Sequence, residues 1–363
     1  MNKLFLVTVI GIALISSACK QKPKPKGVST GDGYFISTQS ETDQRVKDLG
    51  MDKPSENATY ILDKRKLLIP PADQPKDGDE YKPDTTQEWV INIGLPASAP
   101  PFEKEDLNKI FDAGWSKTYG AATLYGYEAD KNRWAFVAGG KEPKKYSKLQ
   151  LSVNLLQVYD TEPADYVPLK LDAYVGSLRL KLSSYPATVK PTEPSARAVI
   201  KARQLVAIKR RFNVDELVIL KTDKPYKGMD VWDALQCTGL RWGDGDLFHW
   251  NNYKSGYGDE ALFSVATDTD PGYFLPEAIK EGRMNPTDLV FGYSIPRSAD
   301  PEHVFDAMLN AAKYCQKRLG GKMLNQQGQP LNETNEKATI TAVVGAMKAK
   351  GLVPGSEKVL TIF

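Results

Sequence analysis

Two short acidic clusters hold the oxygen-rich side chains that calcium sites use. One is Trp-Gly-Asp-Gly-Asp at residues 242–246, and the other is Asp-Thr-Asp at residues 268–270. An EF-hand loop has about twelve residues and ends in a bidentate glutamate, and neither cluster has that spacing or that glutamate. The sequence therefore predicts no metal site here, and it predicts no cofactor.

The two histidines, His249 and His303, are the candidates for acid–base chemistry. His249 could form a triad with a serine and an aspartate, but no Gly-x-Ser-x-Gly turn follows a predicted strand to present the nucleophile. His303 falls in the first turn of a predicted helix and is expected at the surface. No catalytic residue is assigned, and the sequence predicts a protein that is not an enzyme.

Three cysteines are present, of which Cys19 belongs to an N-terminal signal. Cys237 and Cys315 form an even pair that could bridge in an oxidising compartment, or they could be two buried thiols. Without a Cys-x-x-Cys pair and with only two histidines, the chain lacks ligands at the spacing of a zinc site.

The formal net charge is only +3, from 48 basic and 45 acidic residues. The most basic stretch of the predicted folded part is residues 201–211, where apolar residues recur at helical spacing. We interpret this stretch as the solvated face of a helix, and we predict no nucleic-acid partner.

The first nineteen residues have the layout of a bacterial lipoprotein signal: a short basic start, an apolar run at residues 4–15, then Ser-Ser-Ala-Cys19. This predicts a lipid on Cys19 and domains that face the periplasm from the outer or inner membrane. The alternative is an uncleaved anchor. Four lysines between residues 20 and 26 would then hold the remainder of the chain in the cytoplasm.

Residues 20–85 are predicted to be a disordered linker, because scattered prolines, many charges and few aromatic residues bury little apolar area. An apolar island at residues 60–62 and 67–69 is expected to dock as an edge strand. The linker leads to two predicted domains, at residues 86–212 and 213–350.

Each predicted domain combines strands of alternating pattern with amphipathic helices. The first includes an expected hairpin at residues 169–182. The fold class is α+β: tandem open, mainly antiparallel sheets, each with helices packed on one face. A similar order of elements in the two domains suggests a tandem duplication.

Four motifs in the second domain carry a family resemblance. They are Gly-Leu-Arg-Trp-Gly-Asp-Gly-Asp-Leu-Phe-His (239–249), Ala-Leu-Phe-Ser-Val-Ala (261–266), Pro-Gly-Tyr-Phe (271–274) and Leu-Gly-Gly-Lys-Met-Leu (319–324). Their order and spacing resemble those of the C-terminal domain of the cell division protein ZipA, clearly over residues 216–328. Residues 86–212 resemble a diverged second copy. The resemblance implies an N-terminal anchor, a linker and a domain that binds the C-terminal peptide of FtsZ.

Strand alternation predicts which side chains of the second domain face the helices and which face away. Eight bulky residues are expected in the core: Phe248, Trp250, Phe263, Val265, Leu289, Phe291, Tyr293 and Ile295. Eight others are expected on the opposite, open sheet face: Gly245, Leu247, Ser264, Ala266, Asp268, Asp270, Val290 and Gly292.

The resemblance makes this open face a shallow hydrophobic groove for a peptide. Leu247 and Ala266 keep the groove's apolar character, whereas Gly245, Asp268 and Gly292 stand where the family has large apolar residues, and Asp270 stands where it has lysine. A changed groove and a merely solvated face both remain open.

The sequence thus predicts a membrane-anchored, non-catalytic ZipA-like protein that binds a peptide or protein partner in septum assembly, with the FtsZ tail as the family partner. The alternative is an envelope lipoprotein that uses the same fold for a partner outside the cytoplasm.

Overall fold

The computed structural model describes residues 39–62, 67, 83–112, 114–115, 122–137, 145–159, 167–251 and 261–363. Within these ranges the chain forms two main antiparallel sheets, each with helices and a hydrophobic core on one face, and a small two-stranded sheet. The predicted fold class is therefore confirmed. The first nineteen residues, which include Cys19, lie outside the described ranges. No helix within those ranges is long and apolar enough to cross a membrane.

A short N-terminal segment precedes the first domain. It contains helix α1 (Gln39–Asp48) and a 3₁₀ turn (Thr59–Ile61).

The first domain is built on a five-stranded sheet. Its elements are β1 (Glu88–Gly94), β2 (Phe102–Glu103), α2 (Lys104–Ile110), β3 (Ala122–Glu128), β4 (Arg133–Phe136), β5 (Lys145–Tyr146), β6 (Lys148–Asn154), α3 (Leu155–Tyr159), α4 (Pro168–Lys181), β7 (Thr188–Pro191) and α5 (Ser195–Phe212). The sheet order is β4-β3-β6-β1-β7, and β2 pairs separately with β5. Alternate strand residues such as Trp89, Ile91 and Leu151 point into the core that α3, α4 and α5 cover.

The predicted hairpin at residues 169–182 is wrong, because this stretch forms helix α4. Leu178, Leu180 and Leu182 alternate with basic residues, a pattern typical of a strand. Pro168 starts the helix, since its fixed φ and missing N–H suit a first helical position. The helix buries Leu178 but leaves Leu180 77% exposed.

The second domain is built on a six-stranded sheet. Its elements are β8 (Asp215–Lys221), α6 (Gly228–Cys237), β9 (Arg241–Trp242), a 3₁₀ turn (Asp244–Asp246), β10 (Phe248–Asn251), β11 (Ala261–Ala266), α7 (Pro276–Lys280), β12 (Asp288–Ser294), α8 (Pro301–Leu319), β13 (Lys322–Asn325), α9 (Glu333–Lys348) and α10 (Glu357–Leu360). The sheet order is β13-β8-β12-β11-β10-β9. All eight side chains that the strand pattern assigns to the core lie there, beneath α6 and α8.

The two sheets differ in strand order, which counts against a simple duplication. In the first sheet, β3 lies next to β6, and β4, which follows β3 in the chain, lies farther from β6. In the second sheet, β11 lies next to β12, and β10, which precedes β11 in the chain, lies farther from β12. The edge strand β7 precedes the long helix α5, whereas β13 follows the long helix α8. The duplication therefore stays a sequence-based prediction that this topology does not favour.

The C-terminal residues return from the second domain to the first. Ile340 of α9 lies in the second core, but Met347, the second-last residue of the helix, lies in the first core. Leu352, Val359 and Ile362 are buried beside Met347. The predicted second domain, residues 213–350, thus includes residues that complete the first.

Hydrogen bonds hold this return in place. Gln87 Nε2, just before β1, donates to the carbonyl of Lys358 at 2.7 Å, and Thr361 Oγ1 donates to Gln87 Oε1 at 2.6 Å. The N–H of Gly355 donates to the carbonyl of Pro296 at 2.8 Å. Residues of both domains therefore bind the C-terminal segment.

The N-terminal segment, residues 39–62, docks on the helical side of the second domain, so the predicted linker is wrong over these residues. Val46, Met51 and Leu62 join the second core. Trp232 Nε1 and Gln236 Nε2 of α6 both donate to the carbonyl of Met51, at 2.9 and 2.8 Å. Residues 60–62 of the apolar island join this contact, where Thr59–Ile61 form a 3₁₀ turn rather than an edge strand, and residues 68 and 69 lie outside the described ranges.

Ion pairs reinforce the docked segment. Arg45 donates two hydrogen bonds to Glu277, each 2.6 Å long, and its guanidinium lies 5.0 Å from the ring centre of Trp242. The hydrogen bond from Arg45 lowers the pKa of Glu277. Asp43 pairs with Arg241 at 2.5 Å. Bidentate arginine–carboxylate pairs are among the stronger surface contacts, because the planar donors fix the geometry.

The docked segment generates a stability prediction. Met51→Ala is expected to lower the free energy of unfolding by about 2–4 kcal/mol, because a buried methionine leaves a cavity when it is truncated. The nearby exposed change Lys53→Ala is expected to stay within about 0.5 kcal/mol of the parent. Urea denaturation measures both. Equal stabilities for the two variants would mean that the segment is not docked.

Candidate functional site

The open sheet face of the second domain carries an apolar row across four strands. Leu324 of β13 is opposite Ile219 of β8, Ile219 is opposite Val290 of β12, and Val290 is opposite Ala266 of β11. Val290 is buried and the other three are partly exposed. This row forms a shallow apolar strip that runs across the strands.

A second row lies beside the first and contains a glycine. Leu217 is opposite Gly292, Gly292 is opposite Ser264, and Ser264 is opposite His249. A Cβ atom added to Gly292 would lie 2.5 Å from Cδ2 of Leu217. The Leu217 side chain therefore lies across the glycine and supplies apolar surface where the family pattern has a large residue at position 292.

His249 is a structural residue within this face. Its Nε2 lies 2.7 Å from the carbonyl of Asp244, which can only accept, so Nε2 carries the proton. Its Nδ1 lies 2.7 Å from Ser264 Oγ and accepts from that hydroxyl. Burial lowers the pKa of His249, although the Asp244 carbonyl opposes the shift.

The triad considered in the sequence is not assembled. Ser264 and His249 do meet, but both are buried, and the Asp244 contact is through its backbone carbonyl. A catalytic triad needs a carboxylate on the imidazole and an accessible serine hydroxyl. The pair instead ties the 3₁₀ turn to β11.

Gly245 and Leu247 lie in the turn before β10 rather than in a strand. Gly245 has φ +64°, a conformation that favours glycine, and it is exposed. Leu247 is partly exposed and follows the turn directly. Strand β10 starts at Phe248, so Gly245 precedes the strand and lies outside the sheet itself.

Asp268 and Asp270 lie in the loop beyond β11, at one end of the apolar strip. Both are exposed. The N–H of Asp268 donates to Asp288 Oδ1 at 2.7 Å, and Thr267 Oγ1 donates to the same oxygen at 2.8 Å. Partial burial raises the pKa of the Asp268 carboxyl, the charge of Asp288 adds to the rise, and Lys221 opposes it. This end of the strip is therefore polar and acidic.

Strand alternation in β8 and β13 identifies three further open-face residues that the sequence reasoning missed: Leu217, Ile219 and Leu324. The signal was present, because Val218 and Leu220 point into the core and leave the odd-numbered positions outside. Leu324 follows because Met323, its neighbour, packs on the core.

The acidic clusters and the cysteines add no chemistry to this face. Across the described ranges, no three carboxylate, histidine or cysteine side chains are grouped as a metal site would need. Cys237 and Cys315 are buried free thiols, and burial raises the pKa of Cys315 to about 12.

The profile of the family described as ZipA, C-terminal FtsZ-binding domain, matches residues 216–358. The second domain belongs to this family. The match extends beyond residue 328 and takes in α9 and the first two residues of α10, the helices that carry the chain back to the first domain.

Curated relatives agree with this assignment. The cell division protein ZipA of Ectopseudomonas mendocina is 31% identical over 142 residues, which are 39% of this chain and 50% of the relative. That of Pseudomonas aeruginosa strain LESB58 is 31% identical over 118 residues, 31% of this chain and 40% of the relative. That of Shewanella frigidimarina is 28% identical over 120 residues, 33% of each chain. The chain thus matches half or less of the length of these relatives.

The contact between Leu217 and Gly292 generates a testable coupling. Gly292→Ala is expected to destabilise the protein by about 1–2 kcal/mol, because the new methyl group displaces the Leu217 side chain. In a Leu217→Ala background the same change is expected to cost at least about 1 kcal/mol less. Denaturation of the parent, both single variants and the double variant gives the coupling.

Gly176→Ala is the matched control, since no atom lies within 4 Å of the added Cβ in the middle of α4. It is expected to stabilise the protein by about 0.5–1 kcal/mol. If the changes in unfolding free energy from the substitutions at positions 217 and 292 are additive, the methyl group added at position 292 does not contact Leu217.

Proposed function

We propose that this protein is a membrane-anchored, non-catalytic adaptor that binds an extended peptide of a division protein on the open sheet face of its second domain. The observation that carries the proposal is the strip of Leu324, Ile219, Val290 and Ala266 in a domain of the ZipA C-terminal family. The family description names FtsZ, and we propose the FtsZ tail as the partner.

The chemistry of the strip supports an amphipathic peptide. Its partly exposed apolar side chains offer area that a partner's apolar residues can remove from water, at about 25 cal/mol per Å². Leu217 keeps the second row apolar despite Gly292. Asp268 and Asp270, at one end of the strip, would attract a basic residue of the partner. In the family pattern these two positions hold a large apolar residue and a lysine, respectively.

No catalytic role is proposed. The buried His249 has both ring nitrogens occupied by Ser264 and the Asp244 carbonyl, so it has no nitrogen left for a substrate. The strip itself offers aliphatic side chains, which bind and do not react.

Peptide titration of the chain tests the binding proposal. The protein used spans residues 27–363, because both cores draw on residues from 46 to 362 and a fragment of the second domain alone would lose the C-terminal contacts. Saturable binding of a labelled FtsZ tail peptide is expected. Ile219→Glu is expected to weaken it at least about tenfold, because a charge would enter the apolar contact.

Met229→Glu makes the same kind of change on α6, on the opposite side of the same domain, and is expected to leave binding within about twofold. Ala266→Glu provides a second open-face variant should Ile219→Glu unfold. No binding at high micromolar peptide, or equal loss in the Met229 variant, would remove the FtsZ tail as the partner of this face.

The compartment depends on the N-terminus. The matches to division proteins favour the uncleaved anchor with cytoplasmic domains, where FtsZ polymerises, and they give no support to the periplasmic lipoprotein. Mass spectrometry of the native N-terminus is expected to find Cys19 without lipid and the apolar run retained. A lipid on Cys19 would place the domains across the membrane from FtsZ and would require another partner.

A further inference from the structure

The basic residues of this chain are concentrated in one stretch. Residues 168–212 contain ten basic and two acidic residues, whereas the rest of the chain has more acidic than basic residues. Helix α5 carries no acidic residue and six basic ones: Arg197, Lys201, Arg203, Lys209, Arg210 and Arg211. Helix α4 adds Lys170, Arg179 and Lys181 against one aspartate.

The fold places these residues on one outer surface. Helices α4 and α5 pack against each other, and both bury one stripe in the core of the first domain. In α5 the buried stripe includes Ala198, Ala202 and Val206. Arg197 is exposed on the opposite side of the helix, and Arg210, in the last turn, is exposed at the edge of the stripe. We name the outward side of α4 and α5 the basic helical face.

Large apolar side chains stand exposed among these charges. Leu169 is 74% exposed and Leu180 is 77% exposed on α4, while Ile200 is 55% exposed on α5. With Val167, they are four of the eight large apolar residues exposed in the described ranges. Single exposed leucines are ordinary, but a cluster on one surface marks an interaction site.

Several of the charges are not neutralised by neighbours. Within the described ranges the side chains of Lys181, Arg197 and Arg210 form no ion pair. Lys201 is different, because it pairs with Glu193. The surface therefore keeps positive charge for an external anion.

We propose that the basic helical face lies against an anionic lipid bilayer. Lysine and arginine near a negatively charged membrane each gain attraction, and apolar side chains between them can enter the boundary between headgroups and acyl chains. The long basic side chains can reach the headgroups while the leucines insert. This surface belongs to the first domain and does not depend on peptide binding by the second.

A nucleic acid fits this surface less well. Proteins that bind single strands offer aromatic side chains for stacking, and the aromatic residues of α4 and α5, Tyr174 and Phe212, are buried. Exposed leucines such as Leu180 would meet phosphates there rather than hydrocarbon. The combination of unpaired charges and exposed aliphatic side chains favours lipid.

Vesicle co-sedimentation tests the proposal. The protein spans residues 27–363, which removes the apolar run and the four lysines after it but keeps every residue of both cores. It is mixed at about 0.1 M salt with vesicles of phosphatidylethanolamine containing phosphatidylglycerol, or with neutral phosphatidylcholine vesicles. Binding to the anionic vesicles is expected to be at least about tenfold tighter.

Matched variants locate the surface. Arg197→Gln with Arg210→Gln is expected to weaken anionic-vesicle binding at least about tenfold, and Leu169→Ser with Leu180→Ser is expected to weaken it about threefold or more. Lys317→Gln with Lys350→Gln removes the same charge from exposed positions elsewhere and is expected to change it less than about twofold. Circular dichroism confirms that each variant is folded.

Three results would overturn the proposal. Equal binding to neutral and anionic vesicles would show that electrostatic attraction does not contribute. Equal losses of vesicle binding in the arginine and lysine double variants would show that binding does not depend on the basic helical face. Tighter binding of a labelled single-stranded DNA than of anionic vesicles, lost in the arginine pair, would assign the surface to a nucleic acid instead.

Discussion

Burial of the C-terminal residues in the first core ties the two sheets together. Helix α5 reaches β8 through only two residues, and α9 then carries the chain back so that Val359 and Ile362 complete the core it left. Neither core is made from one continuous stretch of sequence. Because α5 and α9 each carry the chain from one domain to the other, the open sheet face and the basic helical face are parts of one interlinked structure.

Much of the second domain follows from local pattern. The alternation along β10, β11 and β12 correctly assigned all eight core side chains, because one face of this sheet is buried and register follows from that burial. The same alternation rule gave the wrong prediction for helix α4, because Leu178, Leu180 and Leu182 alternate with other residues as they would in a strand. Leu178 and Leu182 are buried, whereas Leu180 is exposed and adds nothing to the core.

The contacts that the sequence could not reveal are long-range and involve few residues. Segment 39–62 buries few large apolar side chains, too few to distinguish it from a linker by composition. It is held by the Met51 carbonyl, the Arg45 pair and the second core. Likewise, position 292 looks like a gap in the groove until cross-strand register shows that Leu217 covers it.

Docking of segment 39–62 shortens the stretch of chain between the proposed membrane anchor and the folded domains. Twenty residue-to-residue steps separate Cys19 from Gln39, a reach of at most about 70 Å, whereas a free linker to Asp84 would allow about 230 Å. Since searched volume grows with the cube of reach, the upper limit on that volume falls about thirtyfold. With the proposed anchor, a partner held at the same membrane would meet the second domain at a correspondingly higher effective concentration.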